Sequence, residues 1–185
     1  MDGKKACCFL GHRKIKSREI LKNRVYETVE KLITEDKIEM FLFGSKSEFN
    51  ELCVNVVTSL KVRYPHIERI YVRAENPEIS ESYRKYLLRD FDDTYFPAKI
   101  TNAGKAAYVE RNCEMIDKSD VCVMYYDESY LPSKQKASKR SVTDYQPKSG
   151  TKAAYEYANK KKKKIVNVFI KPLKSYFSDN TDNKY

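Results

Sequence analysis

The chain has 185 residues, 41% of them hydrophobic and 34% charged, with a formal net charge of +10. That length suits one domain, able to remove roughly 70% of its unfolded surface from water without disulfide or metal staples. Five glycines and six prolines leave no room for a collagen-like or linker-like chain. The longest apolar runs, Ala6–Leu10 and Val121–Tyr126, fall far short of the ~20 residues that a membrane span needs.

Lys4 and Lys5 precede an apolar patch too short for a signal peptide, so a cytoplasmic protein is predicted. The five cysteines, Cys7, Cys8, Cys53, Cys113 and Cys122, are odd in number and show no C-x-x-C spacing. Only His12 and His66 accompany them, which argues against a disulfide framework or a zinc site. Small buried thiols in a reducing compartment are the plain reading, with no metal and no required cofactor. The positive charge favours acidic partners such as nucleotides, nucleic acid or anionic lipid. It is concentrated in Lys160–Lys164 and in Lys134, Lys136, Lys139 and Arg140, each also readable as a solvated face or mobile loop.

Strand and helix signals alternate along the chain. Ala6–Leu10 is a short apolar run closed by Gly11, as expected of a strand covered on both faces. Ser17 is a candidate cap for a helix with Leu21, Val25, Val29 and Leu32 on one stripe. Ile38–Phe43 is a second strand, ended by Gly44. Ser47 then precedes a helix carrying Phe49, Leu52, Cys53, Val56, Val57 and Leu60, which stops before Pro65. Ile67–Val72 is a third strand and Ser80–Arg89 a helix. Phe91–Ala103 is irregular and Lys105–Lys118 helical. Val121–Tyr126 is the strongest strand signal. Asp127–Lys148, with Pro132 and Pro147, reads as a long mobile loop. Thr151–Lys162 is a helix and Ile165–Ile170 a last strand. Residues 1–172 are taken as one domain and 173–185 as a polar, frayed tail.

This alternation implies a Rossmann-like α/β sandwich, a mostly parallel sheet with helices on both faces. Ligands bind such sheets beyond the carboxyl ends of the strands, where helix N-termini present free N–H groups and partial positive charge. The predicted rim carries Gly11-His12-Arg13 after the first strand, Gly44-Ser45 after the second and Arg73-Ala74-Glu75 after the third. Tyr126-Asp127 follows the fourth clear strand, and Ser149-Gly150-Thr151 leads into the last helix. Arg13 and Arg73 are candidates for phosphate, Tyr126 for stacking on a base, and Asp127 or Glu75 for accepting ribose hydroxyl hydrogens. His12, Glu75 and Asp127 are the candidate catalytic residues. Neither a P-loop nor a G-x-G-x-x-G fingerprint occurs. Singly, each feature has a plain structural reading as a cap, a surface charge or a packed histidine. Their joint position on one rim is what points to a ligand.

The ordered set Cys8-Phe9-Leu10-Gly11-His12-Arg13, Phe41-Leu42-Phe43-Gly44-Ser45, Glu110-Arg111-Asn112 with Met115-Ile116-Asp117 and Ser119-Asp120, and Ser149-Gly150-Thr151 with Tyr157-Ala158 resembles the YpsA-like family of the SLOG superfamily. The resemblance runs from about Ala6 to Ile170. It implies a Rossmann-like domain binding a nucleotide or nucleotide-derived ligand, of the NAD or ADP-ribose kind. It extends the ligand role to Gly11, Arg13, Gly44, Ser45, Arg111, Asn112, Ser149, Gly150 and Thr151. The related LOG phosphoribohydrolases resemble a P-G-G-x-G-T-x-x-E pattern. Here Ala154 stands three residues after Thr151, and Glu156 should point from another helix face.

Three functions follow as expectations. The first is binding or sensing of a nucleotide without catalysis. The second is an N-glycosidase-like hydrolase using Glu75, Asp127 or Glu110 with His12. The third is single-stranded nucleic-acid binding through the lysine clusters and Tyr145. The loop 127–148 is a candidate surface for a protein partner, and a homo-oligomer is compatible with the class.

Overall fold

Apolar strands without polar alternation need cover on both faces. The computed structural model, which describes residues 3–101, 103–130 and 149–171, supplies that cover. The chain runs β1 (Lys5–Gly11), α1 (Arg18–Thr34), β2 (Ile38–Phe43), α2 (Glu48–Lys61), β3 (Glu68–Val72), α3 (Glu81–Leu87) and β4 (Asp93–Tyr95). It continues through α4 (Ala107–Asp117), β5 (Val121–Tyr125), α5 (Gly150–Lys160) and β6 (Lys164–Asn167). Single 3-10 turns at Ala98–Ile100 and Gly104–Ala106 lead into α4. The six strands form one parallel sheet in the order β4-β3-β2-β1-β5-β6, a Rossmann-like α/β sandwich.

Alternate side chains of each strand leave the sheet on opposite faces. Cys7 and Phe9 of β1 join Phe41 and Phe43 of β2 beneath Val25 and Val29 of α1 and Leu52 and Val56 of α2. The Phe9 and Phe43 rings stack at 5.0 Å. Cys8 and Leu10 face the other way, against Met115 and Ile116 of α4 and Ala154 and Ala158 of α5. Each such large apolar side chain contributes about 1.5–3 kcal/mol through burial. Cys7, Cys8, Cys53 and Cys122 are all buried, and Cys113 is half-buried.

Three details differ from the expected elements. Asp93–Tyr95 pairs with β3 and adds an edge strand inside the stretch read as irregular. Asp92 anchors it: its carboxylate accepts from the Arg69 backbone N–H at 2.8 Å, and its own N–H donates to the Arg69 carbonyl. The last strand ends at Asn167 rather than Ile170, because the Asn167 carboxamide pairs with both backbone groups of Tyr126. Ser17 occupies the cap position of α1 but has φ of 50°, and its side chain makes no capping bond. Ser47, Ser80 and Ser149 do cap, accepting from Asn50, Tyr83 and Lys152. The tail 173–185, most of the loop 127–148, its basic cluster and Tyr145 lie outside the described residues.

Strand order reverses at β1. The chain passes from β1 to β2 on one side and reaches β5 on the other only later. Such a switch point opens a crevice at the carboxyl edge of the sheet.

Candidate functional site

A cleft of about 840 Å³ lies at that edge. The β1 end contributes Gly11, His12 and Arg13, and the β2–α2 turn contributes Gly44, Ser45, Lys46 and Ser47. Tyr71 and Glu75 line it from the β3 side, Tyr108, Arg111 and Asn112 from α4, and Ser149, Gly150, Thr151 and Ala154 from the start of α5. Segments far apart in sequence thus converge because parallel strands end on one edge.

Two helix N-termini open into the cleft. At α2 the Ser47 hydroxyl accepts from the Asn50 N–H at 3.2 Å and lies 2.9 Å from the Ser45 hydroxyl. At α5 the Ser149 hydroxyl accepts from the Lys152 N–H at 3.1 Å. Each terminus adds partial positive charge, although at α2 the Glu48 and Asn50 N–H groups are already taken by the Arg13 carbonyl and the Ser47 hydroxyl. Among the described residues the cleft's charged side chains are Arg13, Lys46 and Arg111 against the single carboxylate of Glu75. Arg13 and Lys46 are exposed, and neither makes a side-chain hydrogen bond or ion pair among the described residues. Such a balance favours an anion.

Arg111 forms the floor. It is 2% exposed, and its Nη1 donates to the Gly44 carbonyl and, at 3.2 Å, to the Val72 carbonyl. Its Nε donates to the Asn112 side-chain oxygen at 3.0 Å. Burial lowers the guanidinium's proton affinity, while Tyr71, Glu75 and Tyr108 act in the opposite direction. Carbonyl dipoles at the ends of β2 and β3 hold this cation, and no ion pair joins it among the described residues.

His12 is 3% exposed, and its Nε2 accepts from the Asp127 N–H at 3.0 Å. Burial pushes its pKa down, opposed by Asp127. The neutral ring therefore carries its proton on Nδ1, and its basic nitrogen is already engaged by the backbone. Tyr130 covers it, ring to ring at 4.2 Å, and also lines the cleft.

Three sequence candidates lie elsewhere. Arg73 closes its own turn, donating to the Asn76 and Pro77 carbonyls at 2.6 and 3.1 Å, with Phe96 against its guanidinium. Tyr126 stacks on Tyr155 at 4.4 Å beside a smaller depression that also holds Glu156. The Asp127 carboxylate accepts from the N–H and hydroxyl of Ser129, so this residue reaches the cleft only through its backbone bond to His12. Lys46, Tyr71, Tyr108 and Tyr130 line the cleft and were not singled out by sequence reasoning. Lys46 follows Gly44-Ser45 directly and was legible there. The three tyrosines sit on a strand, a helix and a loop with no local motif.

Among the described residues no group of three His, Cys, Asp or Glu side chains is placed to hold a metal, and no helix is long and apolar enough to cross a membrane. No curated protein matches the chain. A model of the YspA SLOG family matches residues 8–165, a span that begins in β1 and ends in β6 and so takes in the sheet and every strand end around the cleft. With that match over most of its length, the chain belongs to the YpsA family of SLOG proteins.

Proposed function

We propose that the protein binds a nucleotide or nucleotide-derived ligand at the carboxyl edge of its sheet, as a sensor or carrier and without chemical turnover. The observation that carries this reading is the charge of the cleft: two helix N-termini with Arg13, Lys46 and Arg111, opposed among the described residues only by Glu75. Phosphate groups are the ligand parts that such N–H donors and cations select. The volume of about 840 Å³ suits a mononucleotide or a larger nucleotide derivative of the NAD or ADP-ribose kind.

Two features favour binding over hydrolysis. Ala154 occupies the cleft wall where the related hydrolases resemble a pattern with glutamate. Glu156 instead lines the separate depression beside Tyr126. His12, the one imidazole in the cleft, has its Nε2 bound to the Asp127 N–H. A nucleic-acid reading has less support. Lys163 and Lys164 lie at the amino edge of the sheet, opposite the cleft, with Lys163 donating to the Asp117 and Ser119 carbonyls and Lys164 paired with Asp36. Thermal unfolding with AMP, ADP, ADP-ribose and NAD tests the proposal. A bound ligand at 100 times its Kd stabilises by about 2.7 kcal/mol. No shift with any of the four at millimolar concentration would overturn it.

A further inference from the structure

The cleft is chemically divided. Its exposed cations, Arg13 and Lys46, and the two helix N-termini lie at β1, β2 and α5, while the buried Arg111 sits between the two sides with its Nη1 and Nε taken by the Gly44 and Val72 carbonyls and the Asn112 side chain. At the β3 side stand Tyr71 and Glu75, with Tyr108 of α4 beside them, and among the described residues the only carboxylate lining the cleft is that of Glu75. Tyr108 donates its hydroxyl to Glu75 Oε1 at 3.3 Å. That bond leaves Glu75 further lone pairs and no cationic partner within ion-pair distance among the described residues. Tyr71 is 4% exposed, with its ring against Phe91 at 5.1 Å, yet its hydroxyl has no hydrogen-bond partner among the described residues. The ring is thus held in the wall while the hydroxyl opens on the cleft, where it can bond water or a ligand.

The chemistry of this corner selects its guest. An ionised carboxylate only accepts, so at its own contact it disfavours a phosphate oxygen and favours a neutral O–H donor, even with the Arg111 guanidinium nearby. The Tyr71 hydroxyl accepts or donates to the same guest. Neighbouring sugar hydroxyls offer both kinds of group. We infer that Tyr71 and Glu75, with Tyr108 orienting the carboxylate, form a sugar-hydroxyl subsite that makes the cleft selective for ribonucleotides over 2′-deoxyribonucleotides and over sugars phosphorylated at that hydroxyl. This rests on the nucleotide reading above and adds an orientation to it. The phosphate lies toward the helix N-termini and the ribose edge toward β3.

Calorimetric titration of the full chain with AMP, 2′-deoxy-AMP and adenosine 2′,5′-bisphosphate tests the subsite. AMP should bind about tenfold more tightly than 2′-deoxy-AMP, because only the ribose supplies the hydroxyl that donates to the Glu75 carboxylate. The bisphosphate should bind more weakly than AMP despite its greater charge. In Glu75→Gln the bisphosphate should gain on AMP, and in Tyr71→Phe the preference for AMP over its deoxy form should shrink. Unchanged melting temperatures establish that both variants fold; should Tyr71→Phe not fold, Glu75→Gln with the three ligands decides alone. Equal binding of AMP and 2′-deoxy-AMP to the wild-type protein overturns the subsite and leaves the nucleotide reading intact. Failure of all three ligands to bind overturns both.

Discussion

Arg111 Nη1 donates a hydrogen bond to the carbonyl oxygen of Gly44, and a β-carbon placed on Gly44 would meet that same nitrogen at 2.6 Å. The turn after β2 and the floor of the cleft are thus one unit. The glycine is required by proximity to a buried cation rather than by an unusual backbone angle. The guanidinium has carbonyls at two strand ends as its partners, so it cannot withdraw without leaving them unpaired.

Gly44→Ala should therefore disturb both folding and the cleft. The expected loss is about 1–3 kcal/mol of stability, the range for overpacking a filled site. Chemical denaturation measures the first effect and nucleotide titration the second. An alanine variant that is as stable as the parent and binds equally well would show that Arg111 moves aside freely.

The other glycines of the rim are unequal in a way that their shared position hides. A β-carbon on Gly11 would run into the Phe49 ring, in the buried stack between α2 and β5. Gly150 has nothing within 4 Å. Gly11→Ala should cost about 1–3 kcal/mol, whereas Gly150→Ala should change stability by only a few tenths. Paired unfolding curves decide this, and equal losses would refute the packing account.

The parallel sheet was legible because its signals are local. Val121–Tyr126 and Ala6–Leu10 are apolar without alternation, and glycine or a capping serine marks where Ile38–Phe43 and α2 end and begin. The edge strand at Asp93–Tyr95 was not, since three residues held by Asp92 and Arg69 carry no period of their own. Most of the cleft followed from the rule that strand ends share one edge. Arg73 and Tyr126 could not be placed by that rule, because one residue beyond a strand the backbone is free to turn a side chain either into the crevice or away. Arg73 turns to its own loop carbonyls and Tyr126 to Tyr155. Arg111 came from the resemblance alone, as an arginine inside an amphipathic helix reads like any surface cation.

Arg13 and Lys46 are the cleft cations free of protein partners among the described residues, so their removal should affect a ligand and little else. The double variant Arg13→Gln with Lys46→Gln should keep its melting temperature, since exposed unpaired charges contribute little to stability. Nucleotide affinity should fall by roughly tenfold or more, because charge-assisted bonds to phosphate are lost. Its dependence on salt should weaken as well, since exposed charges are the ones that ions screen. Calorimetry at two ionic strengths reads both effects. Unaltered affinity would move the phosphate away from the turns after β1 and β2.

Acid should weaken the fold through His12 before it reaches the carboxylates. Burial holds the folded pKa of His12 below its ordinary 6.5, so near that pH the unfolded chain binds more protons than the folded one. Stability is then full above about pH 7.5, declines as pH falls below 6.5, and stops declining through this group below its folded pKa; the slope is at most about 1.4 kcal/mol per pH unit. The carboxylates act in a lower window. Burial raises the pKa of Asp92, but hydrogen bonds from Arg69 and Lys61 outweigh it and hold the pKa below the usual 3.8, so its contribution fails only as pH falls through that range. Urea unfolding between pH 7.5 and 5 isolates His12. His12→Gln, whose side-chain oxygen still accepts from the Asp127 N–H, should flatten the slope in this interval. A slope unchanged in the variant would assign the acid sensitivity to another group.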